Sequence, residues 1–364
     1  MSIAVIGAGL MGSAAARHLA QAGEEVFLIG PEEPADKPTH FGVFGSHYDE
    51  GRITRKNALD QFWSEVSAAS IDRYAQIEAE SGIPFFIQSG CLMAGGDTYI
   101  KRIEAAGGHG EPLDAEALAH RFPFFRFKPT FTAWFEAKDA GHISPRRLVA
   151  AQTKTAMKHG ARVVCEVVTG FKERPDHVQI VTPSQTIRVD RVLVAAGYMT
   201  DMLLGREPQL DIYARTVALF EVDDAEAARL RDMPSLIYAD PAAPYLLPPI
   251  RYPDGKDYLK LGGDPEDVAL NGEADIHDWF RSQGSTSVGR RLDAMLHELM
   301  PGLDVQTTKF DACVTSWTND RKPEIRSLSA RVAVCTGGNG AGAKCSDELG
   351  RRGAALVSDQ LGEK

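Results

Sequence analysis

No stretch of this 364-residue sequence reaches the run of about 18 apolar residues that a membrane-spanning helix needs, so no membrane partner is expected. Basic charge is not in excess: 40 Lys and Arg stand against 50 Asp and Glu, a net charge of −10. That balance argues against nucleic acid as a partner. Cysteine is scarce and odd in number, at five without a C-x-x-C pair, which excludes a disulfide framework and points to a reducing cytoplasm. No His/Cys cluster has metal-ligand spacing, so no metal is expected. The first residues lack the basic stretch of a signal peptide. Internal repeats and low-complexity segments are absent. What remains is ordinary for a globular protein, 43% hydrophobic and 25% charged, and long enough for two domains with real cores.

The sequence is organised around Met1–Glu33. Ser2-Ile3-Ala4-Val5-Ile6 reads as a buried parallel strand. Gly7-Ala8-Gly9-Leu10-Met11-Gly12 follows, a G-x-G-x-x-G turn, then a helical pattern from Leu10 to Ala22, stopped at Gly23. Val26–Ile29 is the second strand. A strand–turn–helix–strand context makes this a dinucleotide site. Gly7 permits the tight turn, Gly9 lets the backbone approach a pyrophosphate, and Gly12 lets helix and strand pack closely. The helix N-terminus then faces the phosphates. The acidic residue expected at the end of the second strand is replaced by Gly30. Glu32 or Glu33 reaches back to the ribose, or backbone and water do.

Further along, a loop covers Pro31–Phe44 and a polar cluster covers Gly45–Arg55. One amphipathic helix is predicted over Leu59–Ser81, a strand over Pro84–Met93 and a short helix over Asp114–Phe122. Ser144 and Pro145 open another helix, ended by Gly160. A strand is predicted over Arg162–Val168, a hairpin over 178–181 and 186–189, and a buried strand over Arg191–Gly197. Segments 212–222, 235–240, 245–250 and 258–263 suggest an antiparallel sheet. Asp275–Met300 reads as mostly helical, and Arg331–Cys335 as a last strand. A second glycine-rich turn, Gly337–Lys344, runs into a helix over Ser346–Leu361.

By residue type alone, Arg52 and Arg55 could simply pair with Asp49 and Glu50, Lys260 could be a solvated strand residue, and Cys313 a small core residue. The motifs taken together resemble the D-amino-acid-oxidase-like family of FAD oxidoreductases, in its monomeric sarcosine oxidase and N-methyl amino acid oxidase branch. Ser46-His47, Arg52-Ile53 and Arg55 match a Ser-His-x-x-x-x-Arg-Ile-x-Arg segment. Gly141-His142-Ile143-Ser144-Pro145 is similar to a helix start, Ala195-Ala196-Gly197 to a strand end, and Leu259-Lys260-Leu261-Gly262 to a strand with an active-site lysine. Cys313 resembles the cysteine that joins the flavin by a thioether. Gly340-Ala341-Gly342-Ala343-Lys344 resembles the turn beneath the flavin.

The resemblance implies an α/β (α+β overall) protein with a discontinuous, glutathione-reductase-like FAD domain and a second domain on an antiparallel sheet. The expected FAD domain is 1–82, 140–211 and 320–364; the substrate domain is 83–139 and 212–319. The cofactor would touch Gly7, Gly9, Leu10, Met11, Gly12, Glu32, Ser46, His47, Arg52, Val168 (adenine, by backbone), Ala196, Gly197, Cys313, Gly340, Ala341, Gly342 and Lys344. Arg55 and Lys344 would clamp a substrate carboxylate, Arg52 would face the flavin, and Lys260 would serve oxygen. Three departures shape the substrate wall: Asp264 and Ala341 stand where the branch has histidines, and Thr315 where it has a tyrosine. Substrate is therefore not expected to be sarcosine. Tyr48, Tyr245, Tyr252, Tyr258 and Trp317 are candidates to rebuild the wall. The implied reaction is oxidation of an amine or amino acid C–N bond with O2 as acceptor, in a monomer or small homo-oligomer. The alternatives are a flavin dehydrogenase with another acceptor, a nicotinamide-dependent reductase, and a non-catalytic flavin subunit.

Overall fold

The computed structural model describes residues 1–207, 209–239 and 243–361. Its first sheet has six strands in the order Glu324–Ser327, Val332–Thr336, Arg191–Val194, Ser2–Ile6, Glu25–Ile29 and Arg162–Val164. All neighbours are parallel except the first pair. Strand Ser2–Ile6 lies inside the sheet and buries both faces, which is why it reads as a continuous apolar run. Ile3 and Val5 pack towards the helices with Ala15, Ala16 and Leu19. Ala4 and Ile6 pack the other way, onto Val178, Ile180, Ile187 and Val189. Those four belong to a three-stranded antiparallel sheet, Gly170–Glu173, Val178–Val181 and Thr186–Val189.

Helix Leu10–Gln21 packs against both Pro145–Lys158 and Gly342–Ala355. Its contact with the latter is close because Gly350 has no side chain. A Cβ there would lie 2.6 Å from the Met11 carbonyl oxygen and 2.7 Å from the Ala14 Cβ. Sequence positions near the two ends of the chain are thereby packed backbone against backbone.

The second large sheet has nine strands. Its order is Val268–Ala269, Leu210–Val222, Asp257–Gly262, Tyr245–Arg251, Ser235–Tyr238, Cys91–Gly95, Thr132–Glu136 and Glu111–Leu113, with Thr307–Thr318 also paired along Leu210–Val222. Leu92, Phe135, Phe220, Leu259 and Leu261 on one face meet Leu292 and Leu296 of helix Thr286–Leu299. A small sheet of Arg52–Thr54, Gly141–Ile143 and Phe86–Ile87 carries the arginine segment.

The expected fold class holds: a parallel, helix-covered nucleotide-type sheet and a largely antiparallel second sheet. Local boundaries differ. The helix over 59–81 is two, Gln61–Ile71 and Tyr74–Ser81, capped by Asp60, whose side chain accepts from the Trp63 amide. The break at Asp72–Arg73 lets Arg73 reach the carboxylates of Asp347 and Glu348. The helical stretch 275–300 is also two, Gly272–Arg281 and Thr286–Leu299. Strand 162–168 ends at Val164, and the strand over 84–93 is replaced by Phe86–Ile87 and Cys91–Gly95. The segment 235–240 forms a strand over Ser235–Tyr238, and Asp240 lies outside the described residues. The last helix starts four residues early, at Gly342. Thr307–Thr318 was not anticipated as a strand, although it pairs along almost all of Leu210–Val222. Among the described residues no helix is long and apolar enough to cross a membrane.

Candidate functional site

The first glycine turn is shaped as the sequence requires. Gly7 has φ 112°, and a Cβ there would lie 2.3 Å from the Ala195 carbonyl oxygen. A Cβ on Gly12 would lie 1.8 Å from the Gly7 carbonyl oxygen. Neither position admits a side chain. Gly9 is different: its nearest neighbour beyond the turn would be His47 Nδ1 at 3.8 Å. Gly9 also caps helix Leu10–Gln21 without a side-chain hydrogen bond, and the first turn holds no acidic residue. Half-buried Leu10 and Met11 follow it. The result is an open cradle of backbone N–H groups at a positive dipole end, the donor set for a pyrophosphate.

The strand expected over Arg191–Gly197 ends at Val194; Ala195 N still donates to Ile6 O at 2.8 Å, and Ala196 then leads into a 3-10 turn, Gly197–Met199, with Gly197 at φ 58°. Val168 is half-buried against the three-stranded sheet, beyond its strand. Of the two candidate ribose carboxylates, Glu33 is engaged by Arg146 through two hydrogen bonds of 2.6 Å. Glu32 is not paired in this way. Its carbonyl oxygen accepts the Tyr48 hydroxyl at 3.2 Å.

The second glycine turn meets the first. The methyl carbon of Met11 is the atom a Cβ on Gly342 would meet, at 3.2 Å. Asn339 organises the turn and was missed by sequence reasoning. It takes φ 47°, a conformation asparagine tolerates better than most residues. Its amide donates to Ser316 O at 2.9 Å, its side-chain oxygen accepts the Thr318 amide at 2.9 Å, and Nδ2 donates to Gly337 O at 2.7 Å. These bonds tie the turn to the strand carrying Cys313. Helix Gly342–Ala355 then begins at Ala341 with no side-chain cap and no acidic residue in its first turn.

Two groups of cations lie between these turns and the second sheet. In one, Arg52 pairs with Asp49, donates to Ser46 O at 3.2 Å and reaches Cys313 Sγ at 3.5 Å. Lys260 is 1% exposed, pairs with Asp49 and donates to Gly51 O at 3.0 Å. It is no solvated strand residue. Burial, and then the neighbouring Arg52, push its amine well below the ordinary lysine range. His47, buried near Arg146 and Arg52, is pushed down to about 4 and stays neutral.

In the other group, Lys344 is 4% exposed, and among the described residues its ammonium meets Cys345 Sγ, at 3.5 Å, and the Trp63 ring face at 6.0 Å. Burial lowers its pKa, and the guanidinium of Arg55 lowers it further. Arg55 makes no ion pair among the described residues, and its buried Nε has no partner. Pairing with Glu50 is excluded because that carboxylate serves Ser144, Arg146 and Arg147. Arg55 acts electrostatically on the buried carboxylate of Glu136, which accepts the Lys56 and Asn57 amides at 2.7 and 3.1 Å. Burial raises its pKa, while those two amides and Arg55 lower it.

The wall residues divide. Tyr245, Asp264, Cys313, Arg52 and Arg215 are electrostatic neighbours. Asp264 accepts the Thr216 amide at 3.0 Å, and burial pushes its carboxyl up to about 6. Trp317 lies over Gly340, donates to Thr315 Oγ1 at 2.8 Å and stacks with Arg321 at 4.6 Å. Tyr258 instead turns away to Asp254, at 2.8 Å, and to Lys309. Two surface clefts of about 260 and 280 Å³ are lined by none of Arg55, Lys344 or Cys313. Among the described residues no group of three or more His, Cys, Asp or Glu is placed to hold a metal.

The chain is similar to known proteins along most of their length. The sequence is 26% identical over 371 residues to a monomeric sarcosine oxidase of Bacillus sp. (strain B-0618), covering 96% of this chain and 90% of that protein. It is 24% identical over 367 residues to the N-methyl-L-tryptophan oxidase of Yersinia pestis (strain Pestoides F), covering 98% and 94%. Two solved structures share the fold. Amadoriase I, a fructosyl amine:oxygen oxidoreductase from Aspergillus fumigatus, has a TM-score of 0.76 at 20% identity and covers 100% of this chain and 87% of its own. L-proline dehydrogenase from P. horikoshii has a TM-score of 0.77 at 19% identity, covering 98% and 92%. The description "DAO: FAD dependent oxidoreductase" matches residues 2–356, and with the match spanning both glycine turns and both sheets, the chain belongs to that family of FAD-dependent oxidoreductases.

Proposed function

We propose that this protein oxidises the C–N bond of an amine that carries a carboxylate, such as a secondary or N-substituted amino acid. The observation that carries this reading is the pair Arg55 and Lys344. Two buried or half-buried cations, far apart in sequence, make no ion pair among the described residues, and buried Glu136 is the carboxylate in electrostatic reach of both. A buried charge left unpaired costs several kcal/mol, so the arrangement suits an anionic group brought by a ligand. Arginine would take a carboxylate by its fork and lysine as a point charge. Relatives named for sarcosine and N-methyl-L-tryptophan agree with an N-substituted amino acid.

The residues present fit FAD. The open cradle at Gly9, between two glycines that admit no side chain, would hold the pyrophosphate. Glu32 would serve the ribose and the Val168 backbone the adenine. The Gly340 and Gly342 N–H groups would face the flavin edge, the Ala341 amide being taken by Gly338 O at 2.8 Å. Bound flavin supplies hydride acceptance at N5, giving an imine that water hydrolyses, with O2 as final acceptor and H2O2 released. Around it, Arg52 and Lys260 place positive charge, while Tyr245, Asp264 and Trp317 line the substrate side. On this reading segments 1–82, 140–211 and 320–364 serve the cofactor, and 83–139 and 212–319 the substrate.

The test is flavin reduction by stopped flow, using an N-methyl amino acid and its decarboxylated analogue. Arg55→Ala and Lys344→Ala should each cost the acid about tenfold to a hundredfold, roughly 1.5–3 kcal/mol, and the amine far less. Equal slowing of both substrates sinks the carboxylate reading. A thioether at Cys313 has a simpler check. After acid precipitation the yellow colour should stay with the wild-type chain and leave Cys313→Ser; colour in the wild-type supernatant rules the bond out.

A further inference from the structure

The turn between Ser46 and Arg52 carries one carboxylate to the centre of the first cation group. Asp49 pairs with both Lys260 and Arg52. Its Oδ1 also accepts the Tyr252 hydroxyl at 3.0 Å and the Glu50 amide at 2.8 Å. Among the described residues no other carboxylate pairs with Lys260. Glu50 is engaged by Ser144, Arg146 and Arg147, and Asp311 by Lys37. Two cations therefore share one anion, and the group carries a net charge of about +1.

Lys260 cannot sit where it does without that anion. It is 1% exposed, and its remaining polar contact, Gly51 O at 3.0 Å, comes from the same turn. Arg52 is likewise held by the turn, through Gly51 O at 3.0 Å and Ser46 O at 3.2 Å. Tyr252, on the far side, fixes the orientation of the carboxylate. One short turn thus sets the positions of both cations and their total charge.

We propose that Asp49 is the positioning residue of this site: it holds Lys260 and Arg52 side by side and cancels one of their two charges facing the flavin. This rests on the function proposed above. It reaches further in assigning a role to a residue that touches neither substrate nor cofactor. A positive charge near the flavin favours its anionic reduced form. Removing Asp49 should make the flavin easier to reduce, and removing Lys260 harder. Removing both restores the original net charge.

The experiment measures the two-electron midpoint potential of the bound flavin by anaerobic dye equilibration. The proteins are wild type, Asp49→Asn, Lys260→Met, the double variant and Asp49→Glu. Asp49→Asn should shift the reduction equilibrium about tenfold towards the reduced form, about 30 mV upward. Lys260→Met should shift it downward by a similar factor. The double variant should return to within about threefold of wild type, and Asp49→Glu should keep the wild-type value. The double variant carries the test if Asp49→Asn fails to fold, because its charges are balanced. A flavin-loaded Asp49→Asn at the wild-type potential overturns the proposal, as does a double variant displaced from wild type as far as Lys260→Met alone. In both cases the bound flavin leaves the functional reading standing. A wild-type chain that takes up no FAD overturns that reading first, and this proposal with it.

Discussion

Lys344 and Asp347 stand three residues apart on helix Gly342–Ala355, both buried, with opposite company. Asp347 accepts from Arg17 Nη2 at 2.8 Å, Gln152 Nε2 at 2.9 Å and Arg73 Nε, and lies 3.2 Å from His18 Nε2. Burial would raise its carboxyl, but His18, Arg17 and Arg73 hold it well below the usual range. The network joins helices Leu10–Gln21, Pro145–Lys158 and Gly342–Ala355 to Arg73, at the break between two more helices. Lys344 has no such partner. Where every buried polar atom is satisfied, the charge holds the fold together. On the function proposed above, the counter-charge of the open cation comes from the substrate carboxylate.

The comparison can be broken most forcefully at Asp347. Asp347→Ala takes the close ion-pair partner from buried Arg17, while half-buried Arg73 keeps Glu348, and should cost about 3–5 kcal/mol of stability. Thermal or urea unfolding of the apoprotein reads this directly, and a loss under about 1 kcal/mol would mean the network is no more than a surface pair.

A second carboxylate lies between the two extremes. Asp264 has a backbone amide for company but no ion pair, and its pKa is raised to about 6 by burial. Its neutral form is the one the fold favours. Its contribution to stability is therefore present below about pH 4, near the unfolded pKa, and is lost as pH rises through about 6. Asp264→Asn should flatten the melting temperature between pH 4 and 6 and remove an inflection near 6 from the pH profile of flavin reduction. An unchanged profile in both measurements removes Asp264 from the substrate wall.

The smallest effect is the sharpest contrast. Lys344→Met takes away a buried charge with no partner to strand, so the apoprotein should melt within about 1 kcal/mol of wild type or slightly above it. A large destabilisation would show that Lys344 is structural after all, like its neighbour Asp347.

Much of this was legible because the relevant residues leave local marks. The first cradle follows from glycine spacing between a strand and a helix, and the structure finds Gly7 and Gly12 closed and Gly9 open. Strands inside the parallel sheet announce themselves as unbroken apolar runs. Thr307–Thr318 does not: it runs Thr-Thr-Lys-Phe-Asp-Ala-Cys-Val-Thr-Ser-Trp-Thr and is only partly buried, so its long pairing with Leu210–Val222 left no hydrophobic signature. The break at Asp72–Arg73 was invisible for another reason. Helical periodicity continues across it, and the cause lies at Asp347 and Glu348, about 275 residues away. Asn339 was hidden in the same way, and of Asp49 only the local pairing with Arg52 was legible, its contacts with Lys260 and Tyr252 lying about 200 residues away. The two cations at Arg55 and Lys344 were singled out by resemblance, and their lack of a partner needed coordinates.

The backbone contact at Gly350 has a consequence for biosynthesis. Helix Leu10–Gln21 leaves the ribosome long before the surface at Gly350 on which it packs. At about 5–20 residues per second, that interval is on the order of half a minute. Until then its small apolar face of Ala14, Ala15 and Ala16 has no permanent cover from Gly342–Ala355. The nascent chain must wait for its distal segment before the two glycine turns can meet, so the space between them is completed only once residues 337–350 have been made.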